Sequence, residues 1–430
     1  MFSISRRSMM AAGLAGIGCT LTGQAGAEEN PFDGQRMFKD VLDYAGFGDH
    51  RTGSPGDQAT TGWLRSRLAS MGYACELHDF GFELFEPQKT HLKSPDGRLI
   101  PLLPAWQPAP TREGGLSGIL SLGTGEAHQP GGISLVAIPY MPAGSFHAKG
   151  QMEPITAAIA AGAGAVIAIT EGPTGEVIAM NASPDLRWPV PVVLAAPKEG
   201  DALRRLALQR ATVRLVSEGR SEPSARAQNV IARKAGSGRR LVISTPKSGW
   251  FACAGERGSG IAVALALASW AVNRLAAPVT FISTSGHEFE GLGGKLLLKD
   301  HAPAPDDVAL WVHIGANVAC NAVSFSDGSP KRLDGPSQQR GIQVTEALIP
   351  LLKQAFAGQV GYEKPIPADP ARAIGEAAVF LEAGYAPLIG LVGAHPLHHT
   401  PIDLPAIATS PDQLVPVAQA LARAVQGIMR

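Results

Sequence analysis

Apolar residues fall in short unbroken blocks along the second half of this chain. Blocks at 241–245, 279–283, 308–312 and 386–392 are rich in Val, Ile and Leu, as strands buried on both faces are. A fifth, less regular block lies at 378–381. Between them, 261–272 is almost uniformly apolar and predicts a buried helix. Further helices are expected from about 294, over 343–356 and from Ser410, where Ser410, Pro411 and Gln413 form a capping-box start. Strands alternating with helices from about 225 to 430 predict a mostly parallel α/β sheet.

Earlier segments read differently. Ser54 and Pro55 open an amphipathic helix; Ala59, Leu64, Leu68 and Met71 recur near helical spacing, and Gly72 ends it. A strand is expected over 73–82. From 96 to 222 prolines are dense, as at Pro101, Pro104, Pro108 and Pro110. Short β-like blocks follow at 118–122, 134–138, 165–170 and 190–195, with one helix at 155–161. No cluster of acids or histidines marks these strand ends, so this stretch reads as a separate module with a binding or covering role.

Chemistry gathers in the loops after the C-terminal blocks. They carry Glu256, then His287 and Glu288, then His313, Glu376, and finally His395, His398, His399 and Asp403. An open parallel sheet binds ligands just beyond the carboxyl ends of its strands. Residues far apart in sequence are thereby placed to meet. Glu and His serve both as metal ligands and as proton carriers.

A length of 430 residues suggests two or three domains, and 45% hydrophobic with 17% charged residues describes a globular protein. Net charge is zero and no basic stripe is present, which argues against nucleic acid as a partner. Ser5-Arg6-Arg7-Ser8, the apolar run 11–22 and Ala25-Gly26-Ala27 read as a twin-arginine signal over 1–27. A general secretory signal is the plainer alternative. Cys19 does not make a lipid anchor, because Gly16 stands where a leucine-like residue is needed. The mature chain is expected to begin near Glu28, to work in the periplasm or outside the cell, and to have no membrane span. It keeps Cys75, Cys253 and Cys320. Cys253 and Cys320 form either a disulfide or two buried thiols.

Several of these segments resemble metallopeptidase family twenty-eight, the zinc exopeptidases that include secreted bacterial aminopeptidases, glutamate carboxypeptidases and glutaminyl cyclases. Gly48-Asp49-His50-Arg51-Thr52-Gly53-Ser54 is similar to its opening, and Asn229-Val230-Ile231-Ala232 to an early strand. Residues 281–294 resemble the segment that carries its catalytic glutamate, and His399-Thr400-Pro401-Ile402-Asp403 its last metal-histidine motif. Gly162-Ala163-Gly164-Ala165 and Pro189-Val190-Pro191-Val192 resemble the protease-associated domain often inserted in that family. The resemblance implies a three-layer sandwich formed by 28–95 and 223–430, with a protease-associated-like β/α insert over 96–222.

The metal positions depart from the family pattern. Where the family has a His-x-Asp pair, this chain reads Thr245-Pro246-Lys247. Its bridging Asp-Asn reads Glu256-Arg257, its Glu-Glu reads Glu288-Phe289, and its second Asp reads His313. Only His399 matches outright. One reading is a rebuilt single-zinc centre held by Glu256, His313, His399 and His287, with Glu288 as base, cleaving amide bonds in peptides or small acyl-amines in the manner of an aminopeptidase. Another has no metal, with Lys247 and Arg257 supplying positive charge. A third is a non-catalytic relative that binds a ligand or peptide. Lys247, Arg257, Trp250 and Glu376 are the candidate substrate-binding groups. Asp403 is expected to orient the His399 loop, and His395 and His398 read as loop residues.

Overall fold

The computed structural model describes residues 30–123, 129–326 and 329–430; the twin-arginine signal expected over 1–27 lies outside them. The expected blocks become strands whose alternate residues enter opposite layers. Counting the strands that build the main sheet, β1 is Ala74–Lys93, β2 Leu116–Leu122, β3 Ile133–Ile138, β4 Ala165–Thr170, β5 Val192–Ala195 and β6 Thr212–Lys234. The second half adds β7 Arg240–Pro246, β8 Val279–Thr284, β9 Val308–Ile314, β10 Arg340–Val344 and β11 Leu388–Gly393. Leu241 and Ile243 of β7, with Phe281 of β8 and Val312 of β9, face one layer. Val242, Ile282 and Trp311 face the other. The two-residue period of a strand sends successive side chains to opposite faces.

Strands β8, β7, β9 and β11 lie side by side and parallel. Their carboxyl ends therefore open on one edge. The helices that cover the sheet follow from their apolar stripes. On the first face lie α1 (Gly34–Gly46), α2 (Pro55–Ser70), α3 (Ser259–Arg274), α4 (Ile349–Ala355) and α5 (Pro411–Ile428). On the second face lie Leu292–Asp300 and Ala377–Glu382, which bury Leu297 and Phe380 against Trp311.

Residues 96–222 contribute β2 to β5, a parallel run that joins the same sheet through β6. The connection is the long antiparallel pair of β1 with β6, registered from Ala74 opposite Arg233 to Lys93 opposite Arg214. Contacts draw Pro31–Arg430 into one compact unit. No helix among the described residues is long and apolar enough to cross a membrane.

Four local expectations change. The block 378–381 is helical, because its apolar residues cap a short helix between Gly375 and Gly384 rather than joining the sheet. Residues 343–344 end β10, and the helix expected from 343 starts only at Ile349, with Pro350 in its first turn. An unforeseen first helix, α1, is capped by Asp33, which accepts the Arg36 N–H at 2.8 Å. Ser410 caps no N–H; its hydroxyl donates to Asn321 Oδ1 at 2.8 Å. Ser54 does cap α2, accepting from Asp57 N.

The loop after β8 is held by Asn229. Its Oδ1 accepts Ser285 N–H at 2.9 Å and its Nδ2 donates to the Gly293 carbonyl at 2.8 Å. A Cβ at Gly293 would lie 2.7 Å from Asn229 Oδ1 and nearer still to the Ser285 carbonyl. Gly293→Ala is therefore expected to lower stability by about 1–3 kcal/mol. Urea unfolding checks it; an unchanged midpoint would mean the clamp is not tight.

Candidate functional site

A cavity of about 1030 Å³ lies at the carboxyl edge of the parallel strands. His313 of β9, His287 of the loop after β8, Glu376 and His398 are among its lining residues, joined by Ser145, His147 and Asn181 from the 96–222 segment. Among the described residues, four of the lining side chains carry a buried polar atom without a hydrogen-bond partner; Glu290 Oε1 is in ion-pair contact with His147, which leaves His287 Nδ1, His313 Nε2 and Glu376 Oε1 as orphans. Buried polar groups are nearly always satisfied, so three orphans in one cavity mark where a ligand's polar groups belong.

The protonation of His313 follows from its neighbours. Ser244 Oγ lies 2.9 Å from His313 Nδ1 and accepts the Trp311 indole N–H at 2.7 Å. Indole nitrogen only donates, so the serine keeps its own hydrogen and can give it to His313 Nδ1. In that arrangement His313 Nε2–H points into the cavity as a donor. Burial, helped by the Arg257 charge, pulls this imidazole down to about 3, so it is neutral at working pH. His287 is also held well below the usual imidazole range, by burial and then by Arg257. Glu376 accepts the Thr284 hydroxyl at 2.8 Å on its other oxygen. Burial pushes its carboxyl up to about 7, against the Thr284 bond and the Arg257 charge.

Behind the cavity wall sits a second cluster. Cys253 is left-handed at φ 54°, and the turn Ala254–Gly258 is a single π-helical turn. That turn buries Glu256 and Arg257 side by side. Asp403 fixes it by accepting the N–H groups of Gly255 at 2.8 Å and Glu256 at 3.0 Å. Arg257 Nη2 lies 2.7 Å from Glu256 Oε1, His398 Nε2 3.0 Å and His399 Nε2 3.4 Å. Burial works to raise the Glu256 carboxyl, but Arg257, His398 and His399 outweigh it and hold it well below the usual carboxylate range. His399, left-handed at φ 60°, is pinned from the 96–222 segment: its Nδ1 lies 3.0 Å from the Ala179 carbonyl, and its own carbonyl accepts Ala179 N–H at 2.9 Å.

The expected residues thus divide. His287, His313 and Glu376 line the cavity, as does His398, behind which Glu256 and His399 gather. His398 was read as a loop residue; its adjacency to His399 was the only signal of its role. Glu288 does not line the cavity. Its carboxylate accepts Thr52 N–H and Thr52 Oγ1–H at 2.8 Å each and Ser248 Oγ–H at 2.6 Å, tying two loops together. Lys247 is no substrate group, because its ammonium is fully buried against Asp57. Trp250 packs in the core beside the 96–222 segment, its indole donating to Asn181 Oδ1 at 2.9 Å. Cys253 and Cys320 are separate buried thiols.

Metal fitness can be judged from the donors. Among the described residues, Glu256, His398 and His399 offer ligand atoms within 4.8 Å of one another, and so do Cys253, Glu256 and Asp403. His313 and His287 belong to neither set. Spacing alone would suit one zinc, which takes three protein ligands and a water in open sites. The charge does not suit it. The single Glu256 carboxylate already balances a fully buried guanidinium on the same oxygen. A dication there would leave about two uncompensated charges in the interior. The Asn317 amide, whose Nδ2 lies 3.0 Å from His398 Nδ1 and donates to the Gly393 carbonyl at 3.2 Å, holds the His398 ring from its other nitrogen. The residues present do not fit the ion.

The three-layer sheet, with its cavity at the strand ends, defines a zinc-exopeptidase fold. Among solved structures, BSAP, a zinc aminopeptidase from Bacillus subtilis, matches with a TM-score of 0.72 over 93% of this chain and 96% of its own, at 17% identity. A peptidase M28 precursor from Shewanella amazonensis matches with a TM-score of 0.65 over 92% and 95%, at 17% identity. An aminopeptidase from Aneurinibacillus sp. strain AM-1 matches with a TM-score of 0.62 over 94% and 96%, at 18% identity. No protein-family profile and no curated protein matches the sequence.

A carboxyl raised to about 7 holds a proton in the folded chain between about pH 4.5 and 7 that the unfolded chain has lost. Its contribution to stability therefore falls as pH rises through that window. Glu376→Gln is expected to flatten that part of the stability profile, measured by urea unfolding at pH 5 and 7.5. An unchanged difference between the two pH values would contradict the assignment.

Proposed function

We propose that this protein is an exported, peptidase-like hydrolase of amide bonds, of aminopeptidase type, acting on peptides or small acyl-amines in the cavity at the strand ends. The observation that carries this reading is the trio of unpartnered cavity atoms. His313 Nε2–H is a neutral donor suited to a substrate carbonyl, and to the oxyanion that develops on it. Glu376 Oε1 is an acceptor suited to an amine or to an attacking water. A carboxyl near 7 can take a proton from water and return it to the leaving amine at the same pH. His287 supplies a further neutral ring on the same wall. The Ser5-Arg6-Arg7-Ser8 start supports export to the periplasm or outside by the twin-arginine route, and the fold match to zinc aminopeptidases supports the reaction class.

In this reading the proton carrier is Glu376. Glu288, the base expected from the sequence, acts as a positioning residue through Thr52 and Ser248. The segment 96–222 covers the site as a protease-associated-like module, with Ala179, Asn181 and Ala182 bonded to His399, Trp250 and Glu288. No step is assigned to zinc.

A screen of dipeptides, aminoacyl amides and acyl-amines tests the reading. Glu376→Gln is expected to lower kcat by about 10²–10⁴-fold with KM little changed. Glu288→Gln is expected to lower kcat less than about tenfold while reducing Tm. Absence of turnover on every substrate class, or a Glu288→Gln variant that keeps its Tm and loses activity, would defeat it.

A further inference from the structure

One buried group is unused by that chemistry. Arg257 is fully enclosed, and only its Nε makes an aligned hydrogen bond, to the Ser248 carbonyl at 2.9 Å. Neither Nη1 nor Nη2 has an aligned partner among the described residues, although Nη2 touches Glu256 Oε1 at 2.7 Å. The guanidinium stands among Glu256, His287, His313, Glu288 and Glu376, and its charge bears on every one of them. It is thus the cation common to both halves of the site. Lys247 cannot share that part, since Asp57 neutralises it.

We propose that the Arg257 guanidinium is the resident cation of this site and keeps divalent metal off Glu256, His398 and His399. The donors are close enough for an ion, so exclusion rests on charge rather than on distance. A double charge beside a single one, at the roughly 5 Å that sharing one carboxylate imposes, weakens binding by about 10⁵-fold at an effective dielectric near 20. The backbone builds the arrangement: the π-helical turn and the Asp403 clamp force residues 256 and 257 into one buried pair. The inference goes beyond the hydrolase reading, because it concerns equilibrium metal binding and holds whether or not the cavity turns over a substrate.

Zinc alone is the probe. The mature, untagged chain is titrated against a chromophoric chelator, beside His399→Ala, Arg257→Gln and the double variant. Wild type is expected to hold no zinc in competition with the chelator. Arg257→Gln, shown folded by circular dichroism, is expected to bind one zinc at least about 10³-fold more tightly, and the double variant to lose it. One tightly bound zinc in wild type, lost in His399→Ala, overturns the proposal without need of the Arg257 variant. A folded Arg257→Gln protein that gains no zinc also overturns it, since something other than Arg257 would then exclude the metal.

Discussion

A buried carboxylate and a buried guanidinium on adjacent residues, Glu256 and Arg257, set the terms for everything around them. Burying either charge alone is costly, and removing one partner of such a pair typically costs about 3–5 kcal/mol. The chain accommodates both by winding one π-helical turn and clamping it with Asp403. Once the pair is fixed, the Arg257 charge lowers the proton affinity of His287 and His313, adding to the effect of burial, while Glu256 opposes it at His287. The cavity then presents neutral imidazoles beside a carboxyl near 7, a combination that suits proton transfer.

The second constraint is mechanical. Residues 179–182 belong to the segment between β4 and β5, yet they grip the far side of the site. Ala179 bonds His399 twice, Asn181 takes the Trp250 indole N–H, and Ala182 N–H binds the Glu288 carbonyl. The β1–β6 ribbon carries this segment into register. A module that seemed to hold no chemistry therefore holds the ring of the one histidine that matches the family pattern.

Much of the fold was legible because parallel strands buried on both faces leave unbroken apolar runs. The short block 378–381 was not, since four apolar residues fit a strand or a helix equally well. At the site, the loops were legible but the partnerships were not. Lys247 finds Asp57 from α2, and Glu288 finds Thr52, across more than 180 residues in each case. Nothing local in the sequence announces such pairs. Glu376 was visible as an acid before a short helix, but its importance depends on an unpartnered oxygen that only the packed structure reveals.

If the Arg257 guanidinium supplies the positive charge beside Glu256, His398 and His399, no metal shares those side chains. Anomalous diffraction at the zinc edge, from crystals of the mature protein grown with zinc, tests it most directly. Arg257 is expected in contact with Glu256, with no anomalous peak between Glu256, His398 and His399. A peak there, with Arg257 turned away, would contradict it.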